Sequence, residues 1–411
     1  MQSLTRPYCL LLCALLAGPT AWAQGPLQPD SGPAETMKSL DQIEPRTPID
    51  ELPYTISESG SYIVTESLST GLNGITVEVD SVTIDLQGHT LAGSGGNIGV
   101  IVLGHDVEVR NGTIRGFETG LLLTGRSYNR FEDLAIKDNS AEGILIIGDG
   151  DEANGNVLSQ LRVTGNGDEG ILIRAAAGTV NGNMILDSII SDNGQAGIHL
   201  LGDAGLASGN IIRDCVVSGS GLRGVNLSSE DGGRCNGNLV AGLTIVDNTN
   251  DGLRIVASGN DSEAVGNFVR DTQIMRNSNI GLSVQGILGG HANGNKLLGN
   301  HIAENNGFGV YLNASAGGTA QGNLIRDSYV VQNGNDGIRL FGGTEGTRIE
   351  GNRVAGHGTG YNIGSTSAFV FRNISLDNDT PFSAGTGNLD APVISTPGEL
   401  SNPNAWANFS R

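Results

Sequence analysis

The chain has 411 residues, 64 of them glycine and only 4% aromatic, with a formal net charge of −20. So acidic a chain repels phosphate, which excludes nucleic acid as an expected partner, and so few rings leave a core of stacked Ile, Val and Leu. Its length alone would suggest two or three domains, but the chain repeats itself, and a continuous repeat argues for one elongated domain.

Residues 1–23 read as a secretory signal. Arg6 precedes the apolar run from Cys9 to Ala17, and Ala21-Trp22-Ala23 supplies a small-residue cleavage pattern. The run is too short to span a bilayer comfortably. Cleavage after Ala23 removes Arg6 and leaves 22 basic against 43 acidic side chains, net −21. No other segment is apolar enough to form a membrane span, so the expectation is a secreted or periplasmic protein. Residues 24–46 are rich in Pro, Ser, Asp and Gln and read as a flexible linker. Within 47–72, Leu52-Pro-Tyr-Thr-Ile and Ser61-Tyr-Ile-Val-Thr are strand-like and aromatic-tipped. They are expected to cap the first apolar rung.

From Asn129 onward the chain repeats a pattern nine times. Asn recurs at 129, 156, 183, 210, 238, 267, 295, 323 and 352, at intervals of 27, 27, 27, 28, 29, 28, 28 and 29 residues. Gly precedes all but the first, where Tyr128 stands. A second polar turn carries Asn139, Asn166, Asn193, Asn248, Asn277, Asn305 and Asn333, with Ser220 substituting once. Four residues later a Gly opens an alternation such as Gly143-Ile-Leu-Ile or Gly252-Leu-Arg-Ile. Period-two alternation bounded by Gly and Asn predicts short strands rather than helix. Strands this short and turns this regular fit a coiled chain, each strand pairing with its counterpart one copy on.

The fold class expected is therefore all-β: a single parallel β-helix (solenoid) over 73–375, with about three strands per coil and roughly 11–12 coils. Residues 376–411, ending in Trp406, Ala407, Asn408 and Phe409, are expected to lay aromatics over the last rung as a C-terminal cap.

Val82-Thr-Ile-Asp-Leu-Gln-Gly-His-Thr-Leu, followed by the Asn- and Gly-ruled coils, resembles the pectin-lyase-like superfamily of right-handed parallel β-helices. The resemblance covers about residues 70–375. It implies the fold and carbohydrate as the common ligand class. It leaves the activity open among lyases, hydrolases, epimerases, tailspikes, adhesins and accessory proteins.

A residue type present in every coil serves the coil, so functional candidates must break the pattern on an outward face. In the Gly-led strand the first outward residues run Leu145, Leu172, His199, Asn226, Arg254, Ser283, Tyr311 and Arg339. Two residues further come Ile147, Arg174, Leu201, Ser228, Val256, Gln285, Asn313 and Phe341. Spacing of ~4.8 Å between coils would line Arg174, His199, Asn226, Arg254, Ser283, Tyr311 and Arg339 along one groove. Arg side chains suit carboxylate or sulfate. A uronate lyase needs a base for the C5 proton and a neutraliser for the carboxylate, roles that Arg254, His199 and Tyr311 are expected to divide. Arg174, Asn226, Arg339 and Ser283 are the expected substrate contacts. The blander reading is an ordinary exposed polar face.

Acids offer less. Glu169 and Asp251 lie three coils apart, too far for a hydrolytic pair, which needs ~5–9 Å. The long-turn acids Asp149, Asp151, Glu152, Glu230, Asp231, Asp261 and Glu263 are of the kind that take calcium, without the dense spacing of a recognised loop. His89, His105, His291 and His357 are scattered, and no metal centre is expected. Cys215 falls at the inward position of Leu161, Ser188 and Leu243 and is expected to be a buried thiol, unbonded to Cys235.

The sequence thus predicts an exported, monomeric β-helix binding an extended, acidic polysaccharide along one face, with β-elimination as the reaction if it is an enzyme. The alternative is a surface, adhesion or periplasmic accessory module without catalysis.

Overall fold

The structure, a computed structural model, describes residues 46–364, 367–395 and 404–411. The leader expected over 1–23 and the linker up to residue 45 lie outside the described residues. One coil consists of Val157–Ser159, Arg162–Thr164 and Ile171–Ala176. Each strand pairs in parallel with its counterpart one coil on, in Met184–Leu186, Ile189–Ser191 and Ile198–Asp203. Three strands per coil and parallel ladders make the molecule a β-helix. Among the described residues one sheet contains 14 strands, one per coil, and 12 of these begin between Ile75 and Thr359. The other two are Tyr54–Ile56 and Thr380–Ala384, which join the same sheet by parallel pairing. At the far end Phe409 pairs with Ile374, and Trp406 meets Phe371 edge-on with ring centroids 5.3 Å apart.

The corners explain the repeat. Gly155 (φ 65°) and its equivalents are left-handed, and Tyr128 (φ 65°) takes the same conformation in the first copy. The left-handed residue turns the chain and delivers the following Asn inward. Gly143 is required for a different reason: a Cβ there would stand 2.6 Å from the Gly170 carbonyl oxygen in the next coil. Between corners, Ile144, Ile171, Ile198, Val225, Leu253, Leu282, Val310 and Ile338 form an inward row with no exposed surface. Stacking of like aliphatic groups gives each coil a dry core, worth about 2 kcal/mol per fully buried side chain.

The inward Asn residues satisfy the turn backbone. Asn129 Nδ2 donates to Asn156 Oδ1 at 3.1 Å, while the Asn129 backbone N–H donates to the same oxygen at 2.9 Å. The motif continues through Asn183, Asn210, Asn238, Asn267 and Asn295. Buried amides that would otherwise be orphaned thus find a partner one coil away.

One register assignment needs correction. Asn352 is not the ninth member of the row that begins at Asn129. Arg348 pairs with Leu324, which puts Thr347 beside Asn323. Asn352 instead accepts the Ser328 backbone N–H at 3.0 Å, in the neighbouring row of Cys215, Thr272 and Asn300. The coil after Asn323 is shorter, so a 29-residue interval steps across to the next corner.

His357 also has a place. It occupies the ladder of Asn305 and Asn333, its Nε2 accepting the Asn333 backbone N–H at 3.1 Å, and its own N–H donates to Asn378 Oδ1 at 2.7 Å. Cys215 and Cys235 are buried and unbonded. Among the described residues no helix is long and apolar enough to cross a membrane.

Candidate functional site

Strand register places the predicted row as expected. His199 pairs with Asn226, Asn226 with Arg254, Arg254 with Ser283, Ser283 with Tyr311, and Tyr311 with Arg339. Arg174 lies in the neighbouring outward row, one coil before His199, and pairs with Leu201. The Gly-led strands position all of these because alternate residues in a pleated strand share a face.

Spacing divides the row. His199 and Arg254 are two coils apart, roughly 10 Å along the axis, whereas Tyr311 is four coils from His199, roughly 19 Å. Long side chains on His199 and Arg254 can converge on one sugar ring, but Tyr311 cannot join them. Tyr311, expected in the catalytic group, belongs to a different part of the groove. Ser283, expected as a substrate contact, has no exposed surface, and its Oγ donates to Asp251 Oδ2 at 3.3 Å. It is the smallest member of its row, between Arg254 and Tyr311, and its longer neighbours close over it.

Away from its centre, the basic side chains of the strip face carboxylates. Arg174 Nε donates to Asp203 Oδ2 at 3.0 Å. His199 Nδ1 lies 3.3 Å from Glu169 Oε1, and Arg339 Nη1 lies 3.2 Å from Asp336 Oδ2. The excess of bases inferred from the row alone is therefore largely neutralised, by Glu169 and Asp336 just before the Gly of their coils and by Asp203 at the end of a strand.

One exception stands at the centre. Arg223 and Arg254 feel the charge of the buried Asp251 without pairing with it, and Asp251 accepts instead from Asn279 Nδ2 at 2.8 Å and the Ile280 N–H at 3.2 Å. Burial lowers the pKa of both guanidinium groups, and for Arg254 the nearby charge of Arg223 adds to it. Burial raises the Asp251 carboxyl, against the pull of the Ile280 N–H and the two Arg charges. The Nε atoms of Arg223 and Arg254 and the Oδ1 of Asn226 are buried without a hydrogen-bond partner. All three residues line one pocket of about 200 Å³, together with Glu169, His199 and Ser228. Unpartnered donors of positive charge beside an unpartnered acceptor are the complement of a carboxylate flanked by a hydroxyl.

His199 is held at both ends. Its Nε2 is 2.9 Å from Asn226 Nδ2 and 2.7 Å from Ser228 Oγ, both able to donate, while Nδ1 faces Glu169. The pattern matches a neutral ring carrying its proton on Nδ1, with Nε2 accepting from Asn226 and Ser228 at the pocket wall. Burial acts to raise the Glu169 carboxyl, but hydrogen bonds from His199 and the backbone outweigh it and hold the carboxyl below its usual range.

Arg223 escaped the sequence reading. The signal was present, since the flank row Glu142, Glu169, Ala196, Arg223, Asp251, Ile280, Phe308, Asp336 contains one base. Among the described residues no group of three or more His, Cys, Asp or Glu side chains is placed to hold a metal ion.

Parallel coils, inward Asn ladders and a polar outward strip define a right-handed parallel β-helix of the pectin-lyase-like superfamily. The model of the right handed beta helix region matches residues 55–185, 98–269 and 176–354, and the chain belongs to that family. No curated protein matches it by sequence. Among solved structures it is similar to the mannuronan C-5 epimerase AlgE6 A-module of Azotobacter vinelandii, with 14% identity, a TM-score of 0.53, and coverage of 81% of this chain and 91% of that one. The AlgE4 A-module of the same organism gives 13% identity, a TM-score of 0.46, and coverage of 80% and 90%. The periplasmic alginate epimerase AlgG gives 15%, 0.43, and coverage of 86% and 78%. These likenesses concern the fold.

Proposed function

We propose that this is an exported protein that binds an extended uronate polysaccharide along the Gly-led sheet and cleaves it by β-elimination at the Arg223–Arg254 pocket. The observation that carries this reading is the pair of half-buried guanidinium groups lining one pocket, each with a buried Nε lacking a partner. Such a pair answers a sugar carboxylate better than a neutral hydroxyl does. The similar A-module is a mannuronan C-5 epimerase, which agrees with an acidic sugar.

In the proposed step His199 Nε2 takes the C5 proton, and the electron pair moves into the carboxylate, which Arg223 and Arg254 stabilise. The C4–O4 bond then breaks, leaving a double bond between C4 and C5. The departing O4 takes a proton from His199, which restores the neutral ring. Glu169 orients the imidazole from Nδ1.

The test is incubation with a panel of uronate polysaccharides while following the ultraviolet absorbance of the unsaturated product. Turnover lost in His199→Ala with binding retained is the expected result. Failure of every uronate polymer to bind would sink the reading. A binding face without turnover is the second reading, favoured by the engagement of both His199 ring nitrogens inside the protein. It predicts binding of the same polymers with no unsaturated product.

A further inference from the structure

Beyond Ser283 the same outward face changes character. Phe308 and Tyr311 stack with ring centroids 5.0 Å apart and an interplanar angle of 16°. The Arg339 guanidinium lies over Phe308 at 5.2 Å and over Phe341 at 5.6 Å. Phe341 is 52% exposed, although only 4% of the chain is aromatic. Asn313 pairs in register with Phe341, and its Oδ1 is buried without a partner. The rings span three adjacent rows: Phe308 in the flank, Tyr311 in the first outward row and Phe341 in the second.

We propose that these residues form a second sugar subsite, an aromatic platform that holds one pyranose ring of the chain bound at Arg223 and Arg254. The inference rests on the function proposed above and adds where along the face the polymer is gripped. Flat rings suit the C–H face of a pyranose, and Asn313 Oδ1 suits one of its hydroxyls. Core packing does not account for the platform, since Phe341 leaves half its surface in water. Register fixes its place. Arg339 lies three coils beyond Arg254 on a continuous face, roughly 14 Å along the axis. A disaccharide is too short to engage both sites, whereas a hexasaccharide can, and linking two contacts in one ligand multiplies affinity.

The experiment is calorimetric titration of the full chain with a uronate disaccharide and hexasaccharide, comparing wild type, Phe341→Ala, Asn313→Ala and Arg254→Ala. Circular dichroism checks that each variant is folded. Wild type should bind the hexasaccharide at least about tenfold more tightly than the disaccharide. Phe341→Ala and Asn313→Ala should remove most of that difference and leave disaccharide binding unchanged, while Arg254→Ala weakens both ligands. Equal affinity for the two lengths, or a silent Phe341→Ala, overturns the platform alone. Binding of neither ligand by wild type overturns the reading of the whole face, and the platform with it.

Discussion

His357 stands in an asparagine's position: its Nε2 accepts the Asn333 backbone N–H at 3.1 Å, as Asn333 Oδ1 accepts the Asn305 backbone N–H at 3.0 Å one coil earlier. An imidazole can do this only while Nε2 is unprotonated.

Acid stability should therefore depend on this residue. Burial lowers the His357 pKa from the ordinary 6.5, opposed by the Asn378 hydrogen bond and the Asp336 charge. A depressed folded-state pKa means that the unfolded chain binds the proton more readily. The stabilisation is then fully present above pH 6.5 and is lost as the pH falls from there through the folded-state pKa. His357→Asn should melt at the wild-type temperature near neutrality and lose this part of the acid dependence. A variant that retains the full slope between neutral and mildly acidic pH would refute the assignment.

The ladder itself should be expensive to break. Asn267 donates to Asn295 Oδ1 and to the Cys235 carbonyl, and it accepts two bonds from Asn238. Asn267→Ala leaves the Asn238 backbone N–H and the Cys235 carbonyl buried and unpaired, a loss on the order of 3 kcal/mol. The exposed Asn260→Ala should change stability by less than about 0.5 kcal/mol. Urea unfolding midpoints of the two variants, measured side by side, decide it.

Glu169 is argued to act through His199, so its removal should separate positioning from binding. Under the elimination mechanism Glu169→Gln should lower kcat by about 10- to 100-fold with little change in KM, and Glu169→Asp should recover part of it. A rise in KM with unchanged kcat would assign Glu169 to substrate binding instead.

Thiol chemistry gives an independent check on the core. Burial pushes the Cys215 and Cys235 thiols up to about 12. The thiolate is the reactive species, so neither should alkylate in the native state at mildly alkaline pH. Both should label fully in denaturant, read by peptide mass spectrometry. Rapid native labelling of Cys235 would mean that its turn opens.

Much of the architecture was legible in the residues themselves. Val225 and Leu253, with the other aliphatic positions of the Gly-led strands, revealed the inward row. The Asn intervals alone place His199, Asn226, Arg254, Tyr311 and Arg339 in one line. Asn352 was misread because a shorter coil combined with a step to the next corner reproduces the ordinary interval. The pairing of Asp203 and Glu169 with the strip could not be seen that way. Those contacts run sideways across coils, and side-chain reach and burial decide them.

The sequence by itself determined the winding, because a repeat length fixes which residues become neighbours along the axis and pleating fixes which face they share. Only the tertiary structure decided which charges are left over. Whether an arginine is neutralised depends on a few ångströms between side chains from different coils, and at Arg223 and Arg254 that distance leaves two guanidinium groups around one buried carboxylate.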